Sequence, residues 1–307
     1  PDGLTANDFD VLAWSPQGFL WSAAEKAGRT TRVYGEMCAG HTVFSDPKEK
    51  GKPSFEVFYG DHLKGTKRGS FVLKAGHASV EKHLARDYPA WAAEIPDQNR
   101  ADIFIDHLQA CERGEGEFAN LHILSLPNDH TSGTKAGLPT PAASVADNDL
   151  ALGRIVEAVS KSRFWKTTCV ISIEDDPQAG WDHVSGFRTV CVVASPYTKR
   201  GEVVSAHYNQ PGLIRTIGLM LGFPPLNQMD AGSTPLRECF VGTPDFTPYE
   251  AAPAQIALDE INGKASSHVD PKMRELAEES ARLPLDTLDA CDEDVLNRIL
   301  WHAMKGA

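Results

Sequence analysis

The stretch at residues 167–188 constrains the fold more than any other part of the sequence. It opens with a short apolar run at 169–173 that only Ser172 interrupts. Short apolar runs rich in β-branched residues are typical of strands buried on both faces of a parallel sheet. Three adjacent acids follow the run: Glu174, Asp175 and Asp176. Pro177 then ends any strand pairing, so the pattern predicts a buried strand with carboxylates at its carboxyl end.

Carboxylates in that place indicate a ligand site, because open α/β sheets form their crevices at the carboxyl ends of parallel strands. Adjacent carboxylates repel one another, so a positive group is expected to offset them. Hard cations prefer oxygen ligands, and His183, a few residues further on, adds a nitrogen suited to zinc, manganese or iron. The other interpretation is a solvated acidic loop after a strand, and this stretch alone leaves both open.

A second polar cluster follows a second strand-like run. The run at 120–126 reads NLHILSL, and the segment at 127–133 that follows it reads PNDHTSG. Asp129 and His130 therefore stand at the end of a strand, as the acids after 173 do. If the two strands are parallel neighbours, their carboxyl ends meet at one crevice and the two clusters share a site. His122 lies inside the run and is interpreted as a core residue.

The arrangement of strand-like and helix-like segments predicts the fold class. Strands are predicted at five runs: 32–37, 120–126, 167–173, 189–194 and, more briefly, 203–207. Apolar periodicity predicts helices at four segments: 19–27, 100–113, 144–162 and 209–221. This alternation favours an α/β fold in which the first four strands form one mostly parallel sheet with helices on both faces.

The starts of two helices and one long connection add detail. Ser144 with Asp147 resembles a capping box, and Asp147 and Asp149 favour the helix dipole in the first turn. Asn209 is the predicted cap of the helix that ends at Gly222. The Gly-, Lys- and Ser-rich segment 38–76 is interpreted as an irregular surface excursion with one short strand at 55–59.

The remainder of the chain predicts a tail that packs on the sheet. Beyond residue 227 the composition shifts to Gly, Pro, Thr and Asp. Short helices are predicted in it at 254–262, 271–283 and 292–305. We therefore expect one domain over 1–307, with a core at 28–231 and a loop-rich, helical tail at 232–307.

Charge and cysteine content exclude some classes of function. The formal net charge is −12, which argues against nonspecific nucleic-acid binding and against attraction to anionic lipid. No apolar run is long enough to span a bilayer. The six cysteines include no CxxC pair, so a structural zinc knuckle is not expected. Cys169 and Cys191 are interpreted as core residues. The other four are compatible with free thiols or with disulfides: Cys38, Cys111, Cys239 and Cys291.

The sequence resembles the bacterial phosphoesterase family in the order and spacing of four segments. They read LPNDHTSGTKAGLPTPAASVADNDLALGRIVEAVS, ISIEDDPQAGWDHVSGFR, VASPYTKRG and HYNQPGLIRTIGLMLGFPPLNQMDA. That family includes phospholipases C and an acid phosphatase, and it belongs to the alkaline phosphatase superfamily. The resemblance covers 32–231, about two-thirds of the chain. It implies an alkaline-phosphatase-like α/β fold and metal-dependent cleavage of phosphoesters.

The resemblance also implies roles for individual residues. Asp175 and Asp176 match the acidic pair that binds metal beside the nucleophile. Asp129, His130 and His183 match positions that complete the metal site or contact the phosphate, with His130 and His183 as the catalytic candidates. His183 is the expected ligand, and Asp182 beside it would orient its ring. The implied cofactor is a divalent metal ion: zinc, manganese, calcium or magnesium. The implied substrate is a small phosphoester or a phospholipid head group, and the implied location is outside the cytoplasm of a bacterium.

Two departures from the family pattern lower the expected activity. The match begins downstream of the family's early acidic ligand and its Ser or Thr nucleophile, and Thr131 and Ser132 are interpreted as loop residues. Where the family commonly has Pro-Asp-His-Val-Asp-Ala-His, this chain has Trp181, Ser185 and Phe187 at the first, fifth and last places. We therefore expect little or no hydrolysis by this chain alone. One alternative is a catalytically weakened surface or binding domain that keeps the fold. Another is transfer of a phosphoryl group, or hydrolysis of a sulfate ester, on the same fold.

Overall fold

The computed structural model describes residues 16–177, 184–264, 270–285 and 287–305. Its strands are β1 (Thr31–Tyr34), β2 (Cys38–Phe44), β3 (Gly69–Ala75), β4 (Leu121–Leu124), β5 (Val170–Ile173) and β6 (Cys191–Ala194). Its α-helices are α1 (Leu20–Lys26), α2 (Phe55–Lys64), α3 (Asp97–Glu112), α4 (Pro141–Lys161), α5 (Gln210–Leu221), α6 (Gln228–Ala231), α7 (Pro271–Ser280) and α8 (Glu293–Lys305). The described part is therefore a mixed α/β protein, as the alternation of segments predicts.

The strands pair in twos rather than in one sheet. β1 and β4 are parallel, with Thr31 opposite Leu121 and Tyr34 opposite Leu124. β5 and β6 are antiparallel, and so are β2 and β3. Within the described residues, the prediction that the first four predicted strands share one mostly parallel sheet is therefore wrong. A parallel neighbour needs a long crossover, usually a helix. No helix is described between β5 and β6, and the chain returns beside β5 in the opposite direction.

The parallel pair β1–β4 is covered on both faces, as predicted. Successive side chains of a strand point to opposite faces, and in β1 both Val33 and Tyr34 are buried. Tyr34 packs in a cluster with Phe104 of α3 and residues of α4, whereas Val33 packs in a second cluster with Trp21 of α1. Helices of the two layers therefore enclose this pair and fix where its strands end.

Six of the seven predicted helices are present, as α1, α3, α4, α5, α7 and α8, and α5 and α4 show how the ends of two of them are set. Asn209 caps α5 by accepting a hydrogen bond from the Gly212 N–H, and Gly222 ends the helix in the left-handed region. Helix α4 begins earlier than predicted, at Pro141, and its cap is Thr140 rather than Ser144. The predicted capping box is therefore wrong, because Asp147 is buried and bonds to α3 instead.

Residues 38–76 are more regular than predicted. They form β2, α2 and β3, so the expected surface excursion is wrong and the segment at 55–59 begins a helix. Glycine interrupts the side-chain pattern that would predict a strand in this segment. A Cβ at Gly40 would lie 2.0 Å from the Val72 carbonyl oxygen, so only glycine permits this close approach of β2 and β3. The short strand predicted at 203–207 and the helix predicted at 254–262 are also not formed.

His122 is a core residue, as predicted. Its ring packs 4.3 Å from the Phe118 ring and 5.8 Å from the Tyr34 ring, measured between centroids. Burial lowers the pKa of His122 to about 4. The imidazole is therefore neutral over the ordinary range of pH and behaves as part of the aromatic core.

The second sheet and the tail are less enclosed. Val192 of β6 is 51% exposed and Cys191 is also exposed, so the predicted double-sided burial and the predicted core role of Cys191 are wrong. All six cysteines are free thiols. Part of the tail packs on the core, since the Tyr249 N–H donates to the Ser160 hydroxyl of α4. Among the described helices, none combines the length and apolar character needed to cross a membrane.

Candidate metal site at the strand ends

Acidic side chains follow three of the described strands. Glu36 comes two residues after the end of β1. A short 3₁₀ turn, Pro127–His130, comes after β4 and carries Asp129 and His130. Glu174 and Asp175 come directly after β5. Because β1 and β4 are parallel neighbours, their carboxyl ends lie at the same edge.

The clusters that follow β4 and β5 meet through Asp129 and Glu174. The two carboxyl groups lie within interaction distance of each other, and a hydrogen bond between them would require a proton on one of them. Burial first, and then the neighbouring Asp129 charge, raises the pKa of Glu174 to about 6. Asp175 adds to this increase, and His130 opposes it. Polar residues that are about 45 positions apart in the sequence therefore form one crevice.

Glu36 extends the crevice to the end of β1. Burial raises its pKa, and the Asp175 charge raises it further. The next residue, Met37, is buried and has a positive φ of 52°. We call the group of Glu36, Asp129, His130, Glu174 and Asp175 the acidic crevice. Its members come from the ends of three strands, and the charge of a neighbouring acid adds to the effect of burial on the pKa of Glu36 and of Glu174.

The sequence-predicted site residues have different positions. Asp129 and His130 lie in the acidic crevice, and the His130 ring is 5.9 Å from the ring of the half-exposed Trp91. Asp175 and Asp176 are exposed, and an Asp175 carboxylate oxygen accepts a hydrogen bond from the Asp176 N–H at 3.0 Å. The predicted ligand His183 lies in 178–183, outside the described residues, as does Asp182.

Two members of the acidic crevice were missed by sequence reasoning. In the sequence, Glu174 is one of three adjacent acids, and nothing local shows which of the three turns inward. Glu36 stands at the end of a predicted strand and has no other acid beside it. A usable signal was present, because Glu36 follows its apolar run much as the acids follow the other two runs.

The donor types in the crevice fit a divalent cation. Carboxylate oxygens suit hard cations, and an imidazole nitrogen suits zinc or manganese. Burial, and after it the charge of neighbouring carboxylates, raises the pKa of Glu36 and of Glu174, and a bound positive charge would relieve both effects. In the part of the chain that the structure describes, no three His, Cys, Asp or Glu residues are arranged as a ready-made metal site. The fit is therefore one of chemistry and charge.

The turn that carries Asp129 is fastened from behind by buried polar groups. Asn128, 7% exposed, donates its backbone N–H to Asp97 at 3.0 Å and its side-chain amide to Asp147 at 2.7 Å. Asp97 lies at the start of α3 and Asp147 in α4. The two helices thus determine where the turn lies at the end of β4.

Two cavities lie near the parallel pair. One of about 360 Å³ is lined mainly by apolar side chains and by Glu36, so it adjoins the acidic crevice. A larger one of about 720 Å³ lies at the opposite, amino ends of β1 and β4 and contains none of the crevice residues. The smaller cavity is within the size range of small-molecule sites, and it is the one beside the clustered acids.

Comparison with protein-family models finds no match to this chain, and comparison with curated proteins finds no relative of significant similarity. The case for a function therefore rests on the residues of the crevice and their surroundings.

Proposed function

We propose that the chain is a metal-dependent phosphoester hydrolase and that the acidic crevice is its site. The observation that carries this proposal is the close approach of the Asp129 and Glu174 carboxyl groups, which follow two different strands. Carboxyl groups held this close disfavour each other's ionisation. A divalent cation between them would remove that penalty. The energy gained by removing it would contribute to the affinity for the cation.

Phosphoester hydrolysis needs what such a crevice offers. A phosphoryl group in transfer carries negative charge on its oxygens, and a bound cation offsets that charge. Asp129, Glu174 and Asp175 would hold the cation through oxygen. His130 would add a nitrogen ligand or donate to a phosphate oxygen, with Trp91 beside its ring. The proposal includes the family-implied alkaline-phosphatase-like arrangement, which the enclosed parallel pair β1–β4 supports.

The substrate class follows from the same chemistry. A small phosphoester or a phospholipid head group would place its phosphate against the crevice, and the cavity beside Glu36 offers room for an apolar substituent. Hydrolysis by this route also needs an activated hydroxyl. We therefore expect cation binding by this chain to be easier to detect than turnover of a phosphoester. We also propose that the protein acts outside the bacterial cytoplasm.

A second candidate function is a binding domain that keeps the fold with a weakened site. It is favoured by the lack of a ready-made three-ligand group among the described residues. The two candidates differ in turnover. A hydrolase releases product from a phosphoester in the presence of a cation, whereas the binding domain retains cation or phosphoester without cleaving it.

The test is a titration of the chain with Mn²⁺ and with Zn²⁺ by calorimetry at pH 7. Hydrolysis is measured in parallel with 4-nitrophenyl phosphate and 4-nitrophenyl phosphorylcholine as substrates. We expect saturable cation binding that Asp129→Asn and Glu174→Gln each weaken at least about tenfold, in the range seen when a metal site loses support. The matched control is Glu115→Gln, which changes an exposed acid paired with Arg113 and should leave affinity unchanged.

The outcomes separate the proposals. Absence of cation binding, or equal binding by Glu174→Gln, would rule out the metal-dependent hydrolase. Cation binding without turnover of either substrate would favour the binding domain. Turnover that depends on Asp129 and Glu174 would support the hydrolase.

A further inference from the structure

The turn Pro127–His130 has little of its own to hold its shape. It is a single 3₁₀ turn of four residues, closed by a hydrogen bond of 3.0 Å from the Thr131 N–H to the Asn128 carbonyl oxygen. Short 3₁₀ segments have poor hydrogen-bond geometry and seldom persist alone. The positions of Asp129 and His130 therefore depend on what the turn is attached to.

Helix α4 supplies the first attachment by capping another helix. Pro96 precedes α3 and has no side chain that can accept a hydrogen bond, so the first N–H groups of α3 need a partner from elsewhere. Asp147 of α4 accepts from the Asp97 N–H at 2.6 Å and from the Gln98 N–H at 3.3 Å. It is 4% exposed. One carboxylate thus joins the start of α3 to α4.

The same acids fasten the turn. Asp97 accepts from the Asn128 N–H, and Asp147 accepts from the Asn128 side-chain amide. Arg100 is fully buried and donates to Asp97 at 2.9 Å, which offsets the negative charge. We call the group of Asp97, Arg100, Asn128, Asp147 and Asn148 the buried network. It holds Asn128, but Asn128 points away from the crevice.

Asn148 is the member that reaches the crevice itself. Its side-chain nitrogen lies 2.6 Å from the Leu126 carbonyl oxygen, 3.1 Å from Asp97 Oδ2 and 3.5 Å from Asp129 Oδ1. An amide group has only two N–H bonds to give. One therefore goes to Leu126, at the start of the turn, and the other is shared between the two carboxylates, with Asp129 as the weaker acceptor.

We propose that Asn148 is a positioning residue that directs the Asp129 carboxylate toward Glu174 and so prepares the acidic crevice for a cation. It does this by fixing both the start of the turn, at Leu126, and one oxygen of Asp129. This inference rests on the proposed function of the crevice.

The test compares two half-buried asparagines that differ in this one respect. Asn148→Ala removes the amide, and Asn148→Asp keeps the size of the side chain but removes the donor. Asn99→Ala is the matched control, since Asn99 of α3 donates to the Phe58 carbonyl oxygen at 2.9 Å, and none of the contacts described for its side chain involves the turn. We expect both Asn148 variants to bind Mn²⁺ about 10- to 100-fold more weakly, and Asn99→Ala to bind within about twofold of the wild type.

Stability distinguishes positioning from general support of the fold. The melting temperature of each variant without metal is measured by calorimetry. If Asn148→Ala and Asn99→Ala lose similar stability but only the former loses Mn²⁺ affinity, the positioning role stands. Wild-type affinity in both Asn148 variants, or an equal loss in Asn99→Ala, would overturn it.

A second readout does not depend on metal. Hydrogen exchange of residues 127–131 should be faster in Asn148→Ala, while exchange within α3 and α4 is unchanged. If the wild type binds no cation, the proposed function fails, and the exchange experiment alone decides whether Asn148 orders the turn. Unchanged exchange at 127–131 would then overturn the inference.

Discussion

The buried network and the acidic crevice both contain crowded carboxylates, but they differ in the hydrogen-bond donors that surround them. In the buried network, Asp147 accepts hydrogen bonds from two backbone N–H groups of α3 and from Asn128. Arg100 donates from one nitrogen to Asp97 and from the other to the Ala90 carbonyl oxygen. In the acidic crevice, Glu174 lies against another carboxyl group, that of Asp129. The Pro127–His130 turn and Asn148 join the two regions.

The difference lies in the donors, because each region contains carboxylates that repel. Asp147 raises the pKa of Asp97, as Asp129 raises that of Glu174, and burial is the largest cause in both. Asp97 also receives hydrogen bonds from Arg100, Asn128 and Asn148. A buried polar group with its partners stabilises and orders a fold, whereas crowded acids cost stability. The first arrangement is expected of a scaffold and the second of a ligand site.

The largest expected effect comes from breaking the buried network. Arg100→Met keeps much of the side chain's length but leaves the Asp97 carboxyl group without its positive partner. Removing one member of a buried ion pair typically costs about 3–5 kcal/mol, and Arg100 is 0% exposed. We expect a loss of that size in the free energy of unfolding, measured by urea denaturation.

The control for this change is Arg113→Met, which removes an arginine paired with Glu115 at the surface. It should leave the urea midpoint unchanged, because exposed ion pairs contribute little. A loss below about 1 kcal/mol in Arg100→Met would mean that the network is not the scaffold described, and the contrast with the acidic crevice would fail.

A smaller effect is expected in the acidic crevice, where removing a carboxyl group should stabilise the protein rather than destabilise it. The folded-state pKa of Glu174 is about 6, above its ordinary value of 4.5, so the folded protein keeps a proton that the unfolded chain releases between these values. Stability is therefore lost as pH rises from about 4.5 to 6. The full effect would be about 2 kcal/mol, and because Glu174 is only partly buried we expect about 1 kcal/mol after solvent screening.

Glu174→Gln removes this component. Unfolding free energies of wild type and variant, measured in metal-free buffer at pH 4.5 and pH 7, should differ more at pH 7, with the variant the more stable. Asp97 titrates in the same window with the same sign, since its pKa is raised to about 6, but it is present in both proteins and cancels. A variant that is less stable at pH 7 would show that Glu174 is not repelled in the crevice.

What the sequence could predict was local. The cap at Asn209 and the end at Gly222 depend on residues within one helix, and both were correct. The acids after 173 and the polar turn after 126 could be placed at strand ends from apolar runs alone. That the two clusters meet required the assumption of neighbouring strands, and Asp129 and Glu174 do meet although β4 and β5 do not pair.

What it could not predict depended on distant partners. Asp147 looked like an acid in the first turn of its own helix, but its main partners belong to α3, about 50 residues earlier. The direction of β6, which runs antiparallel to β5 with no helix described between them, was not visible in its apolar run. Glycines interrupt the sequence pattern that would have predicted β2 and β3. At Gly40, glycine permits the close approach of the neighbouring strand's backbone. Such choices are made by tertiary contacts and leave little trace in a local pattern.

The backbone of the crevice turn also differs from that of the buried network. Thr131 follows His130 with φ 56° and ψ 179°, a region that is almost restricted to glycine. Its hydroxyl oxygen accepts a hydrogen bond from the Gly133 N–H at 3.1 Å. A β-branched residue in this region costs about 1–3 kcal/mol, so strain as well as repulsion is concentrated beside Asp129 and His130.

The smallest expected effect tests that strain. Thr131→Gly relieves it but gives the unfolded chain more freedom, at a cost of about 0.5–1 kcal/mol, so we expect a net gain of about 0.5 kcal/mol in unfolding free energy. Thr131→Ala is the control, because it keeps the strained backbone and loses the same hydroxyl, and it should be less stable than the wild type. If the turn is held in this shape for the crevice, Thr131→Gly should also weaken Mn²⁺ binding while it stabilises the fold. Equal stability of the two variants would show that the turn is unstrained, and the acidic crevice would then differ from the buried network in its charges alone.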